Sequence, residues 1–356
     1  MTDNVPVDLR QVYLDALAQC APESLVRAHV KSDMPHHVVA IGKCAGALLD
    51  GVAAVHPVDS AFVAVPEGYR LPVTPAQIHA GGHPHMTPAS FAAGRALLEF
   101  VDHHDDLLFL VSGGGSACIE VALPPHTEDE VMLANARLIA SGRTIAEINK
   151  ERRKLSAIKG GGLAARVRGR AVTLVYSDVS PGVLADVASG PTLPGSEATL
   201  IADNSTLVQA AARILGTHAV VLEEQLECDV EEAAQILAAR SRTLTKGQVL
   251  VAGGEPTVVV RGTGRGGRCS ELAVRFAMKS ACAALFASSD GVDGNSGVAG
   301  FQLPAGDKFQ EPAQRAGAEQ ALLESASQAI AAQVGEPIMI APTGNNLRDL
   351  FLVACV

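Results

Sequence analysis

The chain has 356 residues, 48% of them apolar and 19% charged, and its formal net charge at pH 7 is −10. This length favours two domains, and the apolar fraction argues against a disordered chain. The acidic charge and the 3% aromatic content exclude a general attraction to nucleic acid or anionic lipid and a base-stacking surface.

The seven cysteines are scattered, odd in number and without a CxxC pair, which is typical of reduced thiols in a cytoplasm. The N-terminus lacks a basic stretch followed by an apolar run. No apolar segment is long enough to span a bilayer. We therefore expect a cytoplasmic protein that binds small molecules and has no nucleic-acid or membrane partner.

Strand-like apolar runs alternate with helical patterns, which predicts an α/β fold with a parallel sheet. The predicted strands are HHVVAIG (36–42), AFVAV, QIHAG, LLFLV before the glycines at 113–115, and AVTLVYSDV. The predicted helices include 43–55, 89–101, 128–140 and 205–215. KERRKLSAIKGGG (150–162) is predicted to be a polar turn. A charged segment, EEQLECDVEEAAQ, predicts a boundary near residue 225, with a Rossmann-like domain at 1–225 and a smaller α/β domain at 226–356.

Two predicted loops follow strands, where open α/β sheets hold ligands. Lys43 stands at a helix start and could reach a phosphate, although a solvated surface lysine is the common alternative. The loop Ser112, Gly113, Gly114, Gly115 and Ser116 offers backbone amides and hydroxyls to an anion. A plain strand-to-helix turn is the alternative for this second loop.

Further polar residues follow in the middle of the chain. Asn149, Arg152 and Lys159 lie in a locally basic stretch, of which the last two are the better candidates for a ligand contact. Asp178 ends a predicted strand and could hold a cation or a hydroxyl, or could cap the next helix.

The last third contains a turn rich in glycine and arginine, TVVVRGTGRGGRCSEL, placed by the pattern between a β-branched strand and an amphipathic helix. Its residues Gly264, Gly266, Gly267 and Arg268 suit an anion. Two further binding candidates are Glu255, before the turn, and Asn346, near the C-terminus. Asp290 and Asp293, after the next strand, are candidate metal ligands. Asn346 and Asp349 could equally be a helix cap and a first-turn acid.

A rival interpretation of this turn is dinucleotide binding. Gly262, Gly264 and Gly267 fit G-x-G-x-x-G, and Asp290 lies about twenty residues further on. The arginines inside the turn and the second glycine loop at 113–115 favour phosphoryl transfer instead.

Eight segments together resemble the two-domain glycerate 2-kinases, some of which are called hydroxypyruvate reductases. They occur in family order from residue 38 to the C-terminus, and include VVAIGKCAG, LVSGGGSA, EINKERRKLSAIKGGGLA, GRGGRCSEL and APTGNNLRDL. The resemblance implies a Rossmann-like domain, a smaller α/β domain and an active site in the cleft between them. It also implies transfer of phosphate from ATP, with Mg²⁺, to the 2-hydroxyl of D-glycerate or an analogue.

In that family the lysine of the GK turn and the arginine of the GGR turn are tied most directly to catalysis, which points to Lys43 and Arg268. Asp178 is expected to act with them, as a catalytic group or as a ligand of Mg²⁺. The expected partners are a nucleotide, a small hydroxy acid and a second copy of the chain in a homodimer.

The chain departs from the family where PGDDP is replaced by SPGVL (180–184), which removes two acidic residues. Two alternatives therefore stay open: a homologue that binds nucleotide or acid without phosphoryl transfer, and an NAD(P)H-dependent hydroxypyruvate reductase.

Overall fold

The computed structural model describes residues 7–141, 143–180 and 183–355. The chain forms two compact units, one built from two segments of the sequence and the other from three. We call Ala21–Asp203 with Gly344–Asn346 the parallel-sheet unit. We call Met1–Cys20, Asn204–Thr343 and Leu347–Val356 the mixed-sheet unit.

The parallel-sheet unit contains six parallel strands in the order β3-β2-β1-β4-β5-β6. The strands are β1 (His37–Ile41), β2 (Ser60–Pro66), β3 (Gln77–Gly81), β4 (Leu107–Ser112), β5 (Ala171–Tyr176) and β6 (Glu197–Ala202). The helices are α2 (Pro22–Arg27), α3 (Ala45–Ala53), α4 (Pro88–Asp102), α5 (Gly115–Cys118), α6 (Glu128–Ala140) and α7 (Ile145–Leu155). Short 3-10 turns lie at Ala164–Arg166 and Leu184–Ser189.

The central strands of this sheet are buried over their whole length or nearly so, as expected for strands covered by helices on both faces. Val39 of β1 pairs with Phe62 of β2 and Phe109 of β4, and all three side chains belong to one apolar core. The prediction of a Rossmann-like parallel sheet is thereby confirmed.

Helix α7 corrects one prediction. The stretch 150–155 is helical rather than a polar turn, because Thr144 and Glu147 form a capping box that begins the helix upstream. The helix places Asn149 and Arg152 three residues apart, on neighbouring turns of one face.

The mixed-sheet unit has the strand order β11-β10-β9-β12-β8-β7, in which only β7 and β8 pair in parallel. Its strands are β7 (Ala219–Val221), β8 (Val249–Gly254), β9 (Ala283–Ser288), β10 (Gly300–Leu303), β11 (Glu336–Ile338) and β12 (Asp349–Ala354). Its helices are α1 (Leu9–Gln19), α8 (Asn204–Leu215), α9 (Val230–Ser241), α10 (Arg268–Ala277), α11 (Pro312–Leu323) and α12 (Ser327–Val334), with a 3-10 turn at Gly216–His218.

The units divide the chain at a different place from the predicted boundary near residue 225. Residues 204–225 belong to the mixed-sheet unit because β7 pairs with β8, with Ala219 opposite Val249.

The predicted strand TVVV is not formed, since only Thr257 forms an isolated bridge, to Asp229. Asp349 begins β12 and not a helix, which removes the helix-cap interpretation of Asn346 and Asp349. In the described ranges, no helix is long and apolar enough to cross a membrane.

Candidate functional site

Lys43 and the loop of residues 112–116 lie where the parallel sheet reverses its strand order. β1 and β4 are neighbours, with β2 and β3 on one side of them and β5 and β6 on the other. Open α/β sheets bind ligands at this switch point, beyond the carboxyl ends of the strands. Lys43 follows β1, and the 112–116 loop follows β4.

Buried hydrogen bonds hold these two strand ends together. The Lys43 backbone N–H donates to the carbonyl of Gly113 at 2.8 Å, and the Cys44 N–H donates to the Ser112 hydroxyl at 3.0 Å. That hydroxyl in turn donates to the carbonyl of Ile41 at 3.2 Å. The Ser112 side chain is fully buried, so its hydroxyl braces the loop instead of contacting a ligand, which corrects the prediction.

The rest of the 112–116 loop keeps its backbone donors for another acceptor. Gly114 has a φ of 80°, in the left-handed region that favours glycine. Among the described residues, the N–H groups of Gly114, Gly115 and Ser116 donate to no protein acceptor. A Cβ at position 114 would lie 2.8 Å from Cγ of Lys43, so the lysine side chain runs along this loop.

Asp178 and Asn346 cover the first glycine of the same loop. The Asn346 Nδ2 donates to Oδ2 of Asp178 at 3.0 Å, which orients the carboxylate. A Cβ at Gly113 would lie 1.7 Å from that oxygen and 2.3 Å from the amide nitrogen, so only glycine permits the contact. The ends of β1, β4 and β5 therefore bring together an ammonium, a row of amides and a carboxylate.

Asn149 and Arg152 lie behind Ser116. The Arg152 Nη1 donates to the Ser116 hydroxyl at 3.3 Å, and the Ser189 hydroxyl donates to Oδ1 of Asn149 at 2.8 Å. The Arg152 Nε donates to Oδ1 of Asn135 at 2.8 Å. Sequence reasoning missed Asn135, although this asparagine shares the buried face of α6 with Val131, four residues earlier.

Lys159 has a structural role that its sequence context did not reveal. Its ammonium is buried in an ion pair with Glu120, whose carboxylate also accepts the Ser156 hydroxyl. Burial lowers the pKa of Lys159, and the charge of Glu120 opposes that shift. The predicted ligand contact for Lys159 is therefore replaced by a buried salt bridge within the parallel-sheet unit.

In the mixed-sheet unit, Arg268 is held by two carboxylates. Its Nε and Nη2 donate to the two oxygens of Asp349 at 3.1 and 3.2 Å, and its Nη1 lies 2.8 Å from Glu255. Asp349 is fully buried, and burial raises its pKa to about 6. Three of the five guanidinium N–H groups are used, and the side chain keeps about a third of its surface exposed.

The loop of residues 262–267 uses its glycines for packing, contrary to the prediction of an anion loop. The Gly264 N–H donates to the carbonyl of Glu324 at 3.1 Å, and a Cβ there would lie 2.7 Å from the backbone of Ala326. The Gly266 N–H donates to the Asn295 side chain at 2.7 Å. The close approach that these glycines permit is to the α11–α12 connection and the 293–295 turn.

Asp293 occupies the N-terminus of α10. Its carboxylate accepts the N–H groups of Cys269 and Ser270, each at 2.9 Å, and lies against Gly267, where a Cβ would be 2.2 Å from Oδ1. A phosphate is therefore not needed to satisfy these amides. The carboxylate acts as a helix cap, and the metal-ligand role of Asp293 stays a prediction.

Asp290 supports a turn in a similar way, because its Oδ1 accepts the Ser288 hydroxyl and the Val292 N–H, each at 2.9 Å. Across the described ranges, three or more His, Cys, Asp or Glu side chains nowhere gather in a group that could hold a metal ion.

Comparison with known proteins finds two family models. Residues 8–226 match the model described as a domain of unknown function, DUF4147, and residues 248–349 match the MOFRL family. The D-glycerate 2-kinase of Thermotoga maritima is 30% identical over 335 residues, covering 79% of this chain and 80% of the relative. A putative hydroxypyruvate reductase of Agrobacterium vitis is 30% identical, and the match covers 96% of this chain and 92% of the relative.

The solved structures give the same picture of the whole chain. The crystal structure of the glycerate kinase from Thermotoga maritima superposes with a TM-score of 0.84 at 26% identity, and the match covers 98% of each chain. The similarity therefore extends over both the parallel-sheet and the mixed-sheet units.

Proposed function

Because the chain belongs to the two-domain glycerate 2-kinase family that the DUF4147 and MOFRL models describe, we propose that it phosphorylates the 2-hydroxyl of D-glycerate or a close analogue, using ATP. It is on this basis a phosphotransferase with an alcohol group as acceptor. The observation that carries the proposal is the 112–116 loop: among the described residues, the amides of Gly114, Gly115 and Ser116 donate to no protein acceptor, and they lie beside Lys43 at the switch point.

Phosphoryl transfer requires alignment and charge neutralisation more than covalent chemistry from the protein. The N–H groups of Gly114, Gly115 and Ser116 would bind phosphate oxygens, and the Lys43 ammonium would neutralise the charge that spreads over the transferred group. The fixed bonds from Lys43 and Cys44 to the loop keep these donors in place before the substrate arrives.

Asp178 is the residue that would hold Mg²⁺. Its partly exposed carboxylate is oriented by Asn346, and magnesium sites commonly use only one or two carboxylates with substrate phosphates and water. When bound, Mg²⁺ would neutralise the negative charge of the phosphate oxygens. The residues present therefore fit the ion, even though two acids of the family pattern are missing at 180–184. Pro181 and Gly182 of that segment lie outside the described residues.

Arg268 is the second cation of the proposal. The Asp349 and Glu255 carboxylates fix the plane of its guanidinium and leave two N–H groups for the transferred phosphoryl. Asp349 is in this role a positioning residue, because it acts on the substrate through Arg268.

The test is to follow ADP release from ATP with Mg²⁺ and D-glycerate, and to identify the phosphorylated product by ³¹P NMR. We expect Lys43→Ala and Arg268→Ala to lower kcat by about 10²- to 10³-fold, as loss of a transition-state donor does elsewhere. Lys150→Ala removes an exposed cation of α7 and should leave turnover unchanged. Turnover that survives both of the first two substitutions would refute the mechanism.

The same preparation separates the alternatives. Oxidation of NAD(P)H with hydroxypyruvate, in the absence of ADP release from ATP, would identify a reductase. Binding of ADP and D-glycerate without any turnover would identify a homologue that has lost phosphoryl transfer.

A further inference from the structure

Near the 112–116 loop the parallel-sheet unit holds two buried cations, Arg152 and Lys159, and a partly buried one, Arg153. Lys159 pairs with Glu120, and Arg153 pairs with Asp186. Arg152, directly before Arg153 in sequence, is 8% exposed, and in the described part of the chain no carboxylate lies within salt-bridge distance of it. Burial lowers the pKa of Arg152 and the charge of Glu120 opposes that shift, but the Glu120 carboxylate is already paired with Lys159. Two buried cations therefore share one acid, which is costly, so a further acid from outside the chain is expected.

The donors around Arg152 also exceed the acceptors. Its Nε donates to Asn135 and its Nη1 to Ser116, with a longer contact to Asn149 at 3.5 Å, while Nη2 has no acceptor among the described residues. Asn135 is 2% exposed, and its Nδ2 is buried without a hydrogen-bond partner.

The orientation of the Asn135 amide is fixed by chemistry. An arginine can only donate, so the atom of Asn135 that faces the Arg152 Nε must be the oxygen. The unpaired atom is therefore a donor. Arg152 and Asn135 are adjacent, and each has an unused N–H donor. A ligand whose polar atoms only accept hydrogen bonds would pair with both.

We propose that Arg152 and Asn135 bind the carboxylate of the acceptor acid, a role that rests on the proposed kinase function. A carboxylate is planar, carries one charge and accepts from two donors, which matches a guanidinium beside an amide. The neighbouring Asn149 and Ser189 side chains are each 1% exposed, and this confinement suits a carboxylate better than a nucleotide phosphate.

This position also explains why a 2-hydroxyl would react. The hydroxyl of a 2-hydroxy acid is on the carbon next to the carboxylate. The Arg152 Nη1 contacts Ser116, the last residue of the loop proposed to hold the phosphate. An acid anchored at Arg152 therefore presents its 2-hydroxyl to that loop, and a hydroxyl further along the acid would lie further from it.

The first test compares Arg152→Met with Lys150→Met, which removes an exposed cation from the same helix. We expect Arg152→Met to raise the KM for D-glycerate by about 100-fold, with the KM for ATP within threefold of wild type. D-glyceramide, which lacks the carboxylate charge, should be a poor substrate for wild type and for the Arg152→Met variant alike. Lys150→Met should leave all of these values unchanged.

A second variant separates binding from folding. Asn135→Asp keeps the acceptor for the Arg152 Nε and places the missing acid beside the guanidinium. We expect its Tm to equal or exceed that of wild type, while D-glycerate binding, measured by calorimetry without nucleotide, weakens at least tenfold. If the cluster had only a structural role, the variant would gain stability without losing affinity for D-glycerate.

The outcomes also distinguish this inference from the proposed function. D-glycerate binding that depends on Arg152 in a protein without ATP turnover would support the carboxylate site and reject the kinase. Normal KM for D-glycerate in Arg152→Met, with active turnover, would overturn the site and leave the kinase standing. A selective loss of affinity for ATP or inorganic phosphate in that variant would show that the cluster binds phosphate, and would also overturn it.

Discussion

The loops at 112–116 and 262–267 look alike in sequence, and the structure uses them in different ways. Both are rich in glycine, and both lead into a helix. In the 112–116 loop, the amides of Gly114 to Ser116 have no protein acceptor among the described residues. In the 262–267 loop, Gly264 and Gly266 donate to protein oxygens, and Asp293 caps the helix that follows.

The difference shows that glycine content alone does not identify an anion site. A glycine permits close approach, but the approaching group can be a phosphate or another part of the same chain. The destination of the backbone N–H groups decides between these cases. By this criterion the 112–116 loop is available to a ligand, whereas the 262–267 loop is a packed element that leads into α10 at Arg268.

The largest effect that tests this contrast is expected for Gly114→Ala. The added Cβ would lie 2.8 Å from Cγ of Lys43, at a φ of 80° that alanine rarely adopts. Displacing the lysine by about 1 Å should reduce kcat/KM by about 100-fold. Steady-state kinetics with ATP and D-glycerate, with a thermal melt to confirm folding, would measure it. Activity within threefold of wild type would break the contrast.

The matched change in the other loop is Gly264→Ala. Its Cβ would lie 2.7 Å from the Ala326 backbone, which cannot rotate away as a side chain can. We expect a loss of about 2 kcal/mol in unfolding free energy, as for overpacking elsewhere, and a kcat/KM per folded molecule close to wild type. A large loss of activity with unchanged stability would instead indicate that this loop contacts the substrate.

The sequence predicted five of the six strands of the parallel sheet, because long apolar runs such as LLFLV leave few alternatives. It did not predict β6, an edge strand of which four of the six residues are exposed. It also placed Lys43, Gly113 and Asp178 at strand ends, where the sheet topology gathers them. Strand order itself was accessible only through the resemblance to a family.

Other features depend on contacts between residues far apart in the chain, which no local pattern encodes. Asp293 looked like a metal ligand because nothing in the sequence shows that it caps α10, and Lys159 looked like a ligand contact because its partner Glu120 is 39 residues away. Asn135 was overlooked for the same reason, since its significance comes from Arg152 on the next helix.

A pH-dependent effect on stability is expected at Asp349, the buried residue whose carboxylate binds Arg268. Burial raises its pKa from 3.8 to about 6, so the folded protein binds this proton more tightly than the unfolded chain does. The resulting contribution to stability is complete below about pH 4 and is lost as the pH rises through about 6. Its full size is about 3 kcal/mol.

Urea unfolding of wild type and Asp349→Asn between pH 4 and 7.5 measures this contribution. The unfolding free energy of wild type, relative to the variant, should fall by most of that amount as the pH rises. Parallel pH profiles for the two proteins would mean that Asp349 titrates normally. In that case it would be ionised and paired with Arg268 over all but the acidic end of the range.

The smallest effect is expected for Asp293→Asn, and it decides whether the capped helix also holds a metal. Asparagine can still accept one of the two N–H groups but loses the charge that favours a helix N-terminus. We expect a loss of about 1 kcal/mol in unfolding free energy, measured by denaturant titration, and a reduction of kcat of a few fold because α10 begins at Arg268. Both effects should be the same at low and high Mg²⁺.

If Asp293 were a magnesium ligand, the variant would need more Mg²⁺ for half-maximal activity, and added Mg²⁺ would restore turnover without restoring stability. A result of that kind would indicate that the 262–267 loop, like the 112–116 loop, takes part in substrate binding.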